Sequence, residues 1–82
     1  MKKAQAEEKI YQSSDLALVA TLQLYGYQIE MMDRSNSGKV VFSIRRDEEI
    51  DGLIQAFWSR SLRICPLTYF ESLKSIKARI YQ

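Results

Sequence analysis

The chain has 82 residues, 46% of them hydrophobic, with a formal net charge of +2, one cysteine and no histidine. That suffices for one small core and not for two. It excludes an internal disulfide framework, a Cys/His zinc site and any nucleophile that depends on a histidine base.

Met1 to Gln12 is polar and mixed in charge, with Ile10 and Tyr11 as its only large apolar residues after Met1. It reads as a flexible lead over residues 1–12, with Ile10 and Tyr11 docking as a staple where the first helix begins. Residues 13–82 read as one small α+β domain.

Asp15 to Tyr25, DLALVATLQLY, has Asp15, Thr21 and Gln23 as its only polar residues. Leu, Ala and Gln favour helix, and the run holds no Gly or Pro. Ser13, Ser14 or Asp15 can cap its start, and Gly26 stands where a left-handed residue ends a helix most cheaply. A helix apolar on nearly every face must be covered on nearly every face, so this is the central helix. It is far shorter than the roughly 20 apolar residues that cross a bilayer. It also lies too far along the chain for a signal peptide. A soluble protein in a reducing cytoplasm is expected, with no membrane partner.

After Gly26 the period changes. Tyr27, Ile29 and Met31 alternate with Gln28, Glu30 and Met32, and Lys39 to Arg45 alternates again across DRSNSG, a stretch of turn formers. These predict an antiparallel β-hairpin. Ile29 and Met31 should share the core face with Val40, Phe42 and Ile44, which requires facing residues whose numbers add to an odd value. The opposite face, with Gln28, Glu30, Val41, Ser43 and Arg45, is polar enough to meet water. It lacks the aromatic platform of an RNA-binding sheet of the RRM kind.

Arg46 to Ser59 predicts an amphipathic helix with Asp47 as its cap and Ile50, Leu53, Ile54, Phe57 and Trp58 on one stripe. Gly52 lies off that stripe, either tolerated or there to admit a close neighbour. Ser59 to Cys65 is an extended connector in which Leu62 and Ile64 alternate with Arg63 and Cys65, a pattern able to add a third strand to the hairpin edge. Pro66 starts a third helix, where its missing amide costs nothing. Tyr69, Phe70, Leu73, Ile76 and Ile80 form the stripe of that helix, which runs to about Tyr81. Cys65 stands at its cap, where a thiol can be acidified, though a structural role is the more ordinary one. The order is α-β-β-α-α.

Several pieces resemble a small family of uncharacterised bacterial and phage domains. Asp15, Leu16, Leu18, Leu22, Gly26 and Tyr27 fit its D-L-x-L-A-x-x-L-x-x-x-G-Y opening, and KVVFSI resembles its strand. Leu62, Arg63, Ile64, Pro66 and Phe70 fit a later L-R-V-D-P-x-x-F stretch. Val19 and Cys65 depart from it, standing where Ala and an acidic cap are usual. The resemblance spans Ser13 to Tyr81. It implies a bacterial, phage or mobile-element origin and no activity.

Catalysis is not expected. There is no histidine and no Gly-rich phosphate loop, and Asp47, Glu48, Glu49 and Asp51 cluster at a helix start, where the dipole accounts for them. No cofactor or metal is implied, since one helix turn does not build a metal cage. From Leu53 onward the chain carries five bases against the single acid Glu71. A solvated surface is the ordinary explanation, and an anionic partner the sharper one. For nucleic acid the candidate contacts are Arg60 and Arg63 first, then Lys39, Arg45 and Arg46, then Lys74 and Lys77. For a protein partner or a homodimer the candidates are Trp58 and Tyr81. A non-catalytic interaction domain is expected, with nucleic acid as the first partner and protein association as the alternative.

Overall fold

The computed structural model describes residues 9–35 and 38–81. Residues 1–8 of the lead and 36–37 of the hairpin turn lie outside the described residues. The described elements run β1 (Ile10–Ser13), α1 (Leu16–Leu24), β2 (Ile29–Asp33), β3 (Val41–Arg45), α2 (Ile50–Trp58) and α3 (Pro66–Ile80). The sheet has the order β1-β3-β2, and both outer strands are antiparallel to β3. The class is α+β.

Helix α1 is central. Leu18, Val19, Ala20, Thr21 and Leu22 are all buried, and its apolarity has no preferred side. Asp15 provides the cap, with Oδ1 accepting from the Leu18 amide at 3.2 Å. Phe42 and Ile44 from the sheet, Ile50 from α2 and Ile76 from α3 complete the core. The helix packs most extensively on α3 and more thinly on α2. Small side chains let α1 and α3 approach. Ala20 is buried against α3, and the buried Ser72 hydroxyl donates to the Ala20 carbonyl at 3.0 Å.

The third strand is a correction to the sequence reading. It comes from the lead, not from the connector 59–65, which forms no strand. Tyr11 pairs with Ile44 and Ser13 with Phe42, so β1 lays the Tyr11 side on the core and leaves Ile10 outward. Leu62 and Ile64 keep their alternation as half-buried residues, but they turn toward the helices. With β1 and β2 on its two edges, β3 has none left for the connector.

The hairpin register also differs in one respect. Ile29 pairs with Ile44, as odd parity requires, but Met31 pairs with Ser43 and Met32 with Phe42. A β-bulge at Glu30 inserts one residue, and a one-residue slip exchanges the faces. Met32 therefore packs on the core, while Met31 is 63% exposed.

Helix α2 begins at Ile50 rather than Arg46. Asp47 still serves its start, accepting from the amides of Glu49 and Ile50 at 3.0 Å each. A Cβ on Gly52 would meet nothing within 4 Å, so no neighbour within the described fold requires glycine there. In α3 the stripe is Tyr69, Ser72, Leu73, Ile76 and Ile80, and Phe70, placed on it by the sequence pattern, is exposed.

The α1–α3 contact sets a test. Ser72→Leu should lower unfolding stability by about 1–3 kcal/mol, because overpacking drives the helices apart. Chemical denaturation measures it, and an unchanged midpoint would show that the helices have slack.

Candidate functional site

Among the described residues, three surface hollows take in several of the basic residues: Arg45 and Arg46, Arg34 and Lys39, and Arg60. The largest, about 890 Å³, lies between the end of α1, the sheet and α2, with Tyr27, Glu30, Arg45, Arg46, Asp47, Glu48 and Glu49 on its walls. Both arginines are already engaged. Arg45 pairs with Glu30 at 3.6 Å. Arg46 hydrogen-bonds Asp51 and lays its guanidinium 5.8 Å from the Tyr11 ring centroid. The carboxylates of Asp47, Glu48 and Glu49 remain, so the net charge of this hollow is negative. It repels a polyanion.

Asp47 organises that wall. Its Oδ1 accepts from the Tyr27 hydroxyl at 2.6 Å as well as from two α2 amides. The Tyr27 hydrogen bond, with the amides, holds the Asp47 carboxyl below its usual range. Burial first, then the bond to Asp47 and the charges of Asp47 and Glu49, push the Tyr27 hydroxyl up to about 12. Asp47 is thus occupied in joining the start of α2 to the end of α1. Among the described residues no group of three carboxylates or thiols converges to hold a metal ion.

The second hollow, about 590 Å³, takes in Lys39 and Arg34 from the hairpin and Ile80 and Tyr81 from the end of α3. Arg34 Nη2 donates to the Arg79 carbonyl at 2.7 Å. A cation on the last carbonyls of a helix is favourable, so Arg34 closes α3.

The third hollow, about 350 Å³, is apolar. Thr21, Phe57, Leu62, Ile64, Pro66 and Tyr69 line it, and Arg60 is its one charged wall residue. Arg60 has φ +65°, in the left-handed region. Its amide bonds the Phe57 carbonyl at 3.1 Å, and the Ser61 amide bonds the Ala56 carbonyl at 3.0 Å. These are the two bonds of a Schellman helix end. The end of α1 has the same pair, Gly26 to Gln23 at 3.1 Å and Tyr27 to Leu22 at 3.1 Å, with Gly26 at φ +95°. One helix ends on the residue that this geometry favours. The other ends on an arginine that pays a steric cost for it.

The remaining sequence candidates lie on α3 and its approach. Arg63 is exposed on the connector. Leu67, Phe70, Lys74, Lys77 and Tyr81 recur at helical spacing on the side of α3 turned from the core, and all five are exposed. Lys74 Nζ lies 5.3 Å from the Phe70 ring centroid, an aromatic–cation pair facing solvent. Sequence reasoning assigned Phe70 to the core and passed over Leu67. The spacing of Leu67 and Phe70 with Lys74 was the signal that could have found this second stripe. Trp58 is 59% exposed and packs edge-on against Phe57, with centroids 4.9 Å apart. The exposed Cys65 thiol is acidified by the Thr68 hydroxyl and by the first-turn amides of Thr68 and Leu67.

Two of these contacts can be tested directly. The Tyr27–Asp47 bond gives a pH signature through linkage. Asp47, with a depressed folded pKa, contributes stability above the usual carboxylate range, and that contribution is lost as pH falls through the depressed value. Tyr27, with a raised folded pKa, contributes stability below pH 10, lost as pH rises toward about 12. Tyr27→Phe should therefore be less stable than wild type at neutral pH, with the gap closing at both extremes in thermal melts. A gap independent of pH would assign the effect to packing alone. Arg60→Gly should raise stability by about 1 kcal/mol, or roughly 4–8 °C in Tm, by removing the left-handed strain. A lowered Tm would mean that Arg60 contributes contacts worth more than the strain.

No helix among the described residues is long and apolar enough to cross a membrane. No curated protein and no solved structure matches the chain. Residues 8–82, from the strand that completes the sheet to the end of α3, match the family described as a domain of unknown function, DUF5659, and the chain belongs to that family.

Proposed function

We propose that this domain is a non-catalytic binding module for nucleic acid, using the outer stripe of α3 together with the connector that carries Arg60 and Arg63. The observation that carries the reading is the exposed alternation of apolar, aromatic and cationic side chains along one side of α3, with Lys74 poised over Phe70. Lysines and arginines hold phosphates, and exposed aromatic faces accept bases. The acids support the same choice by their location. Asp47, Glu48, Glu49 and Asp51 gather at the start of α2, and Glu71 is the only acid after Asp51. Arg46, bonded to Asp51 and set against the Tyr11 ring, leaves the set of contacts, and Arg45, loosely paired with Glu30, stands in a hollow whose acids repel a polyanion. The motif resemblance favours an accessory role in phage or mobile-element biology.

Association with a second protein, or with a second copy, is favoured by a different observation. Trp58 and Tyr81 are 59% and 81% exposed, and aromatic residues are common interface anchors. The two readings separate by salt. If Arg60, Arg63, Lys74 and Lys77 neutralise phosphates, affinity for a labelled mixed-sequence DNA should fall roughly a hundredfold between about 50 and about 200 mM salt. Lys74→Ala with Lys77→Ala should flatten that slope by about two. Fluorescence anisotropy measures both. Absence of binding at the lowest salt, with a mass that rises with concentration regardless of salt, would overturn the nucleic-acid reading in favour of assembly.

A further inference from the structure

We infer that the apolar hollow beneath Arg60 receives the base of an unpaired nucleotide, so that the preferred ligand is single-stranded nucleic acid. The inference rests on the nucleic-acid reading above and narrows it.

Three observations lead there. The hollow is small, about 350 Å³, with Phe57, Leu62, Ile64, Pro66 and Tyr69 on its walls. Ligand sites begin near that size and are mostly apolar with a few oriented polar groups. A partner helix lies along a groove with anchors one and two turns apart, which a hollow of this size does not offer. A single flat ring fits, and two of the wall residues, Phe57 and Tyr69, are aromatic.

The charge is equally specific. Arg60 is the hollow's one charged wall residue, and Arg63 follows on the same connector. A base that enters the apolar hollow carries its phosphate beside it, and a cationic wall residue complements that charge. Thr21 cannot read the base edge freely, because its hydroxyl is donated to the Ala17 carbonyl at 2.8 Å. Tolerance of any base is therefore expected.

The third observation is the backbone. Arg60 occupies a left-handed position, φ +65°, where glycine would end α2 without strain, as Gly26 does for α1. Strain retained at one residue points to a use for its side chain. In this conformation the helix end turns sharply, and Arg60 stands on the wall of the hollow.

The arrangement also separates two roles. Lys74 and Lys77 on α3 meet phosphates of any strand, single or paired. The hollow accepts only a base free of its partner, because a base within a duplex cannot leave the stack without losing its pairing.

The test compares a labelled single strand of about a dozen nucleotides with a duplex of the same length, by anisotropy at low salt. Wild type should bind the single strand about tenfold tighter. Arg60→Gly, checked for folding by a thermal melt, should lose that preference, while its affinity for duplex falls only by the loss of one phosphate contact. The amide signals of Leu62, Ile64 and Tyr69 should shift in NMR spectra with single strand and not with duplex. Equal affinity for both ligands, or a preference that survives Arg60→Gly, would overturn the hollow as a base site and leave the α3 reading standing. Failure to bind either ligand would overturn both.

Discussion

A helix without a polar side has to be surrounded, and α1 imposes that requirement on every other element. In so short a chain the means are few. The sheet supplies Phe42 and Ile44, α2 supplies Ile50 and α3 supplies Ile76. The chain meets the shortage by recruiting Ile10–Ser13 from a polar lead, whose Tyr11 reaches the core edge while Gln12 bonds the Ser43 hydroxyl on the far face at 3.2 Å. Small residues at the α1–α3 crossing serve the same end, since a closer helix covers more. Burial of the central helix thus accounts for the serine inside α3 at its crossing with Ala20.

Once the inward faces are committed, the remaining side chains sort by what surrounds them rather than by their type. Arg45 and Arg46 adjoin each other in sequence near carboxylates, and Arg46 becomes structural, bonded to Asp51 and set against Tyr11. Arg34 closes a helix. Arg60 and Arg63 sit on a connector with little acid around them, and Lys74 and Lys77 lie on a helix side that the core does not need. An amphipathic α3 with a second, outer pattern is the consequence. Its inner stripe covers α1, and Leu67, Phe70 and Tyr81 are left beside lysines in water. Apolar side chains scattered over a surface are ordinary. Their recurrence at helical spacing among cations makes this side of α3 the candidate interface.

Much of this was readable beforehand, and for physical reasons. The central helix, a cap within Ser13 to Asp15, its end at Gly26, the hairpin and the start of α3 at Pro66 all follow from local rules: side-chain periodicity, the hydrogen-bonding needs of helix ends and the restricted backbone of Gly and Pro. The candidate site was legible in part. The Arg60–Arg63 connector and the Lys74, Lys77 and Tyr81 flank were visible as a local excess of base. The hollow was not, because Phe57, Leu62, Ile64 and Tyr69 read as core residues of separate segments until folding brought them around Arg60.

What the amino-acid sequence determined alone is the set of elements whose signals lie within a few residues of one another. Tertiary structure decided the rest. β1 exists because an edge of β3 was open to it, and four residues of IYQS carry too weak a pattern to declare a strand by themselves. The bulge at Glu30 sets Met32 rather than Met31 opposite Phe42, a pairing that exists only when the two strands meet. The left-handed Arg60 likewise depends on where α2 must stop to let Leu62 and Ile64 turn inward. Interactions between distant segments set these outcomes, and a local pattern holds no information about which distant segment will arrive.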